Sequence, residues 1–383
     1  MKLDVEKKYR AALRGISGIG TQRLRELIAY FGNARAAWEA PGSNFTKFGN
    51  SQWVKRLLQE REKIDPDAVA NNLKDKDISL VIPTEQHYPF LLAELSDAPP
   101  ILYYRGTLAK QAEALAVVGS RRATSYGRSA AKHLAKEAAL QGIVIVSGLA
   151  RGIDTAAHEG AMAGYGTTWA FLGCGLDYIY PPENQRLATE IIKNGAILTE
   201  YPPHTPPEAG NFPARNRLIS GCTRGVVVVE AALKSGALIT VDFALEQGRE
   251  VFAVPGPIFN EMSKGTNHLI RSGAKIVESI EDIKVEIPIM FAKPNITVLD
   301  QPKLAIAKTQ DLTQMKTDRS KLDSNSQHRE LLELLSDVPI HIDQLILNTS
   351  LSPGNLALAL LELQLEGKIN QLPGQFYVLG RTS

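Results

Sequence analysis

Two stretches decide the fold: Leu115-Ala116-Val117-Val118-Gly119-Ser120-Arg121-Arg122, and Ile143-Val144-Ile145-Val146-Ser147-Gly148-Leu149-Ala150-Arg151-Gly152. Each apolar run is too short for a lone core helix and stops at small residues, the pattern of a buried parallel strand entering a tight turn. Each turn then opens a helix. In an open α/β sheet such turns lie at the carboxyl ends of the strands, where ligands bind and helix N-termini offer free N–H groups to anions. Arg121 and Arg151 would converge there with a row of backbone amides on one concave edge shaped for phosphate.

Outward from this pair, strand and helix signals alternate from residue 114 to about 285, as in a doubly wound α/β domain. Further strands are Thr168 to Leu172, Ala196 to Thr199, Val251 to Val254 and Ala274 to Val277. Gly225 to Glu230 is the clearest buried strand, and it leads to a third small-residue turn, Ala231 to Gly236, carrying Lys234. The proline-rich segment Tyr201 to Pro213 is long for a connection, which marks it as a functional wall. Upstream, prolines 89, 99 and 100 exclude a helix and favour an extended strap on the sheet edge.

The two ends differ. Residues 1–64 carry 13 Lys and Arg against 6 Asp and Glu, whereas residues 326–383 carry 3 against 6, although the whole chain has a net charge of only +2. A basic end that meets polyanions and an acidic end that does not are implied. Ser17-Gly18-Ile19-Gly20 joins two amphipathic helical patterns, either as the hairpin of a helix-hairpin-helix or SAM-like module or as the turn of a plain helical bundle. Residues 286–325 read as a flexible linker. In the last segment helices at Glu330 to Leu335, Ile342 to Leu347 and Pro353 to Glu366 precede a hairpin over Lys368 to Leu379, a winged-helix outline. Its acidity argues for protein contact rather than duplex reading. The chain thus divides into 1–85, 86–285, 286–325 and 326–383.

Several chemistries find no support. There is no Walker phosphate loop, and Gly173-Cys174-Gly175 lacks the third glycine of a dinucleotide fingerprint because position 178 is Tyr178. Scattered histidines give no metal spacing, so neither cofactor nor metal is expected. Asp154 and His158 lie four apart on one helix, but an aspartate there is a dipole-stabilised cap, and Cys174 reads as a small packed residue. Cys174 and Cys222, the only two cysteines, and the lack of any membrane-length apolar run or signal core lead to the expectation of a cytoplasmic protein without a membrane partner. Asn211-Phe212-Pro213-Ala214-Arg215-Asn216-Arg217 mixes arginine with an aromatic. Arg215 and Arg217 either clamp a nucleic-acid backbone or pair with Glu200 or Glu230.

With these residues in view, the chain resembles the DNA-processing protein A family, DprA/Smf. The resemblance runs through Tyr88-Pro89 to Arg105-Gly106, Val117 to Arg121, Ser147 to His158, Asn211 to Arg217, Glu230 to Thr240, Val254-Pro255-Gly256 and Lys264 to Ala274. It implies a Rossmann-like, mostly parallel sheet that binds single-stranded DNA without hydrolysing it, forms a homodimer and loads the RecA recombinase in natural transformation. It carries the positive pocket to Gly119, Ser120, Arg121 and Lys234. Ser147, Gly148, Arg151, Arg215 and Arg217 are added from the turns and spacing, and no catalytic residue is expected. Two rivals remain: a Rossmann-like nucleotide hydrolase of the phosphoribohydrolase type, with Glu230 and Arg215 as its candidate pair, and an adaptor whose termini do the work.

Overall fold

A computed structural model describes residues 4–49 and 51–291, and parts of 331–379. The chain falls into two compact units, residues 1–295 and 296–383. The first opens with five helices, α1 (Val5–Gly15), α2 (Thr21–Phe31), α3 (Ala34–Glu39), α4 (Gln52–Glu60) and α5 (Pro66–Asp75). Asp4 and Asn33 cap α1 and α3 through their side chains. Leu13, Ile16, Ile19, Leu24 and Leu27 are almost fully buried and share one apolar cluster with Leu172 and Ile197 of the sheet. The helical segment is therefore seated on the sheet's own core.

The strap becomes part of the sheet. After β1 (Ser79–Val81), the strap of residues 87–106 forms the short helix α6 (Phe90–Ala93), which begins straight after Pro89 where the prolines were expected to exclude one, and β2 (Leu102–Gly106). β1 pairs antiparallel with β2, and Tyr104 of β2 lies opposite Leu198 on the next strand. Then follow β3 (Ala114–Val118), α7 (Ser125–Leu140), β4 (Val144–Ser147), α8 (Ile153–Ala163), β5 (Thr168–Phe171), α9 (Gln185–Asn194), β6 (Ala196–Thr199), α10 (Asn211–Gly221), β7 (Gly225–Val228), α11 (Ala237–Glu246), β8 (Glu250–Ala253), α12 (Glu261–Arg271), β9 (Lys275–Ile276) and α13 (Ile280–Glu286). The order is β1-β2-β6-β5-β4-β3-β7-β8-β9, parallel from β6 to β9.

Both faces of the strands are apolar. Leu115 and Val117 join the cluster that includes α7 and α8, whereas Ala116 and Val118 join the one that includes α10 and α11. This is why the strands read as continuous hydrophobic runs. Chain order reverses at β3, which has β4 on one side and β7 on the other. The carboxyl ends of β3 and β7 therefore flank the switch-point crevice where ligands enter such sheets.

The second unit pairs β10 (Ile340–His341), β12 (Phe376–Leu379) and β11 (Ile369–Leu372) antiparallel in that spatial order, with one long helix, α14 (Pro353–Leu365). Leu331, Leu335, Leu345, Leu356, Leu360 and Leu363 form its core. The hairpin expected over Lys368 to Leu379 is the β11–β12 pair. Most of the expected linker, 292–325, lies outside the described residues, but its first residues are ordered: Pro288–Phe291 make a helical turn that buries Met290.

Candidate nucleic-acid interface

A cleft of about 410 Å³ opens at the carboxyl ends of β3 and β7. Its floor is the turn after β3. Gly119 is required there, because a Cβ would stand 2.6 Å from Ile153 Cγ1 and 2.8 Å from the Glu230 carbonyl. The Ser120 amide donates to that same carbonyl at 2.7 Å, and Ser120 Oγ accepts from the Arg122 amide at 3.0 Å. The turn is thus fixed to the end of β7 and projects Arg121 outward. The Arg121 guanidinium stands 5.6 Å from the centroid of the Phe212 ring, and it pairs with no carboxylate among the described residues. Tyr180, 39% exposed, brings its ring 5.3 Å from that of Phe212.

Two helix N-termini add positive potential. The first turns of α10 and α11 line the cleft, and their N-caps, Gly210 and Gly236, supply no side-chain acceptor. Asn211 N donates to the Glu208 carbonyl, Ala237 N to Ser235 Oγ, Leu238 N to the Ser235 carbonyl, and Pro213 has no N–H, so the two helices favour an anion chiefly through their dipoles. Lys234 is exposed beside Ser235 on the rim.

The turn after β4, expected to mirror this one, is closed. The amides of Gly148 and Ala150 donate to Asp154 Oδ2 at 3.1 and 3.3 Å, so they are not offered to a ligand. Ser147 is fully buried and donates its hydroxyl to the Val117 carbonyl at 2.7 Å, which removes it from any phosphate site. Arg215 is 3% exposed and donates from Nη1 to the carbonyls of Gly148, at 2.8 Å, and Phe171. A Cβ on Gly148 would lie 2.7 Å from that guanidinium, so glycine makes room for arginine rather than for phosphate. Burial pushes Arg215 down to about 10, with Asp154 opposing, while burial raises the Asp154 carboxyl and Arg215 draws it back. Arg215, on α10, thus ties the ends of β4 and β5 together through two backbone carbonyls, while Asp154 holds the amides of the same turn and acts on Arg215 only as a nearby charge.

Arg217 is a further correction. Its Nη2 donates to both Glu200 carboxylate oxygens at 2.8 and 2.7 Å and its Nη1 to Asp97, so it lines no cleft and the pairing alternative holds for it. Arg151 donates from Nε to Glu183 at 2.7 Å, with both side chains more than half exposed. Gly148, Arg151, Arg121, Tyr180 and Phe212 surround a small recess, about 20 Å³, beside the main cleft. The structure therefore brings Gly119, Ser120, Arg121 and Arg215 to the cleft and Gly148 and Arg151 to its annex, whereas Lys234 is exposed next to the lining residue Ser235 and does not itself line the cleft.

The pair offered for nucleotide hydrolysis does not assemble. Glu230 is 1% exposed and accepts from Thr124 N at 2.8 Å and Thr124 Oγ1 at 2.6 Å, holding the start of α7 rather than facing a sugar. His158 is buried with its Nδ1 2.7 Å from Thr168 Oγ1, and burial pushes it down to about 3. Cys174 is buried and its thiol raised to about 11. Among the described residues no His, Cys, Asp and Glu cluster is arranged to hold a metal, and no helix is long and apolar enough to cross a membrane. Sequence reasoning missed Tyr180 and Met262, whose Sδ lies 3.2 Å from Ser120 Oγ. Only the topology brings either one to the β3 turn.

Comparison with known proteins bears on the fold and the family. The DNA recombination-mediator protein A family profile matches residues 79–288, and the DprA winged helix domain profile matches 315–375. Protein Smf of Synechocystis sp. is 33% identical over 392 residues, covering 97% of this chain and 98% of that protein. DNA processing protein DprA of Streptococcus pneumoniae is 47% identical over 204 residues, 52% of this chain and 71% of that one. The X-ray structure of DNA processing protein A from Streptococcus pneumoniae superposes with a TM-score of 0.64 at 35% identity, covering 75% of this chain and 99% of that chain. Resemblance along nearly the whole length, with the sheet and the winged helix both matched, places the chain in the DprA/Smf family of DNA-processing proteins.

Proposed function

We propose that this protein binds single-stranded DNA in the cleft between the β3 and β7 turns and does no chemistry on it. The observation that carries the reading is Arg121 beside Phe212: an exposed guanidinium without a carboxylate partner stands next to a ring at the mouth of the cleft. A phosphate meets Arg121 and the N-termini of α10 and α11, while bases stack on Phe212 and Tyr180, which gives salt-dependent binding with little sequence preference. Gly119 and Ser120 shape the phosphate seat and Lys234 guards its rim. Gly148 and Arg215 support it from behind, and Arg151 is a peripheral cation.

In this reading residues 86–285 hold the strand, residues 1–85 are an accessory helical domain, and 286–325 tether the winged helix of 326–383. Loading of RecA, cytoplasmic location, and a homodimer using the apolar end of α12 around Leu269 and Ile270 belong to the same proposal. The test is fluorescence anisotropy with labelled single-stranded and duplex oligonucleotides, alongside an assay for base release from nucleoside monophosphates. Preferential single-strand binding with no base release is expected. Duplex preference, or free base, contradicts it.

A further inference from the structure

We infer that the hairpin between α1 and α2 is a second phosphate-binding site, which receives the same DNA strand as it leaves the central cleft across the Tyr201–Pro213 loop. This rests on the single-strand reading above and extends it.

The observations are independent of the β3 turn. A second cleft, about 610 Å³, lies between Ser17-Gly18-Ile19-Gly20 and the loop that carries Tyr201 and Asn211. Asn211 lines this cleft and Phe212 lines the central one, so consecutive residues join the two. Gly18 has φ +90, a left-handed conformation that favours glycine and lets a ligand approach the backbone closely. The α2 N-terminus behind it has no side-chain cap, since its N-cap is Gly20.

Charge is segregated toward this hairpin. Lys7, Lys8, Arg10 and Arg35 are neutralised by Glu85, Asp67, Glu6 and Glu39. Arg14, Arg23 and Arg56 instead donate to the hairpin itself, to Ile19 O at 3.0 Å, Gly18 O at 2.6 Å and Ser17 Oγ at 2.9 Å. None of the three pairs with a carboxylate among the described residues. A guanidinium bonded only to a neutral oxygen keeps its full charge and most of its donors. Arg14 Nε is buried with no hydrogen-bond partner. Arg23 lies over Trp53 at 5.3 Å and Arg14 over Tyr201 at 6.0 Å, so cations alternate with aromatic faces, the composition that tracks a single strand. Glu208 is the acidic residue on the wall, set on the opposing loop.

The experiment uses the full chain and end-labelled oligo(dT) of about 8 and about 30 nucleotides, the first too short for both clefts. In wild type the long oligonucleotide is expected to bind about tenfold tighter, with a log–log salt slope steeper by about 1.4 for two added phosphate contacts. Arg23→Gln/Arg56→Gln should erase both gains and leave the short oligonucleotide within about twofold. Arg23→Lys/Arg56→Lys should keep most of the gain, which separates charge from support of the hairpin. Equal wild-type slopes for the two lengths overturn the inference without any variant. So does a glutamine variant that keeps the long-strand gain, or one that loses duplex binding alone. Arg121→Glu should weaken both lengths together. If it weakens neither while the hairpin variants do, the central cleft is not the DNA site and the two-site path falls; if it weakens both and the hairpin variants change nothing, only the hairpin inference falls.

Discussion

The turns after β3 and β4 are built from the same punctuation, a buried apolar strand, glycine and serine, an arginine and a helix, yet one is open and the other shut. At the β3 turn the nearby carboxylate, Glu230, is spent on Thr124, and Arg121 is left facing solvent beside Phe212. At the β4 turn Asp154 takes the amides, Arg215 fills the space beside Gly148, and Glu183 holds Arg151. The difference lies in partners that arrive from elsewhere in the chain. Amides are claimed at both turns, by the Glu230 carbonyl and Ser120 Oγ at one and by Asp154 at the other, so what the fold leaves unclaimed at the β3 turn is the Arg121 side chain.

If that contrast is right, the closed turn governs stability and the open one governs binding. Arg215→Met should destabilise the protein by about 3 kcal/mol, because it leaves the carbonyls of Gly148 and Phe171 buried without their donor. Urea unfolding measures this, and a change below about 1 kcal/mol would mean that these bonds are not structural. On the open side, Phe212→Ala should cost about 1–2 kcal/mol of single-strand affinity with no comparable loss of stability. Equal binding by the variant would remove the stacking role.

The closed turn should also respond to acid. His158 is neutral when folded, held down to about 3 by burial, but titrates near 6.5 when unfolded. The unfolded chain therefore takes up the proton first. The stability associated with neutral His158 is complete above pH 6.5 and is lost as pH falls toward 3, at up to about 1.4 kcal/mol per pH unit. Asp154, with its raised carboxyl, works in the opposite direction, and it is present in both proteins compared. The pH dependence of unfolding should flatten in His158→Gln relative to wild type, and identical curves would refute the assignment. Smallest of all, Arg151→Ala should shift stability by less than about 0.5 kcal/mol, since its ion pair is exposed. A loss of several kcal/mol in unfolding experiments would show that Arg151 does more than hold Glu183.

Much of the fold was legible because both-sided burial leaves unbroken apolar runs such as Val226 to Val229, and because turn residues punctuate them. The antiparallel pairing of β1 and β2 was not, since three residues at 79–81 carry too little pattern to read as a strand, and prolines 89, 99 and 100 signalled extension where α6 forms. In the site, Gly119, Ser120 and Arg121 were readable from local chemistry alone. Arg217 was not: whether it clamps DNA or bonds Glu200 depends on how α10 lies against β6. Tyr180 gave no local signal, because its place beside Phe212 is set by the path of the chain after β5.

The most direct test is the salt dependence of single-stranded DNA affinity for wild type and Arg121→Glu, followed by anisotropy at matched protein stability. A loss on the order of a hundredfold, with the log–log slope reduced by about 0.7, is the expected result for removal of one phosphate contact and its replacement by repulsion. An Arg121→Glu protein that folds normally and binds with wild-type affinity and slope would contradict the claim that the open β3 turn holds the strand.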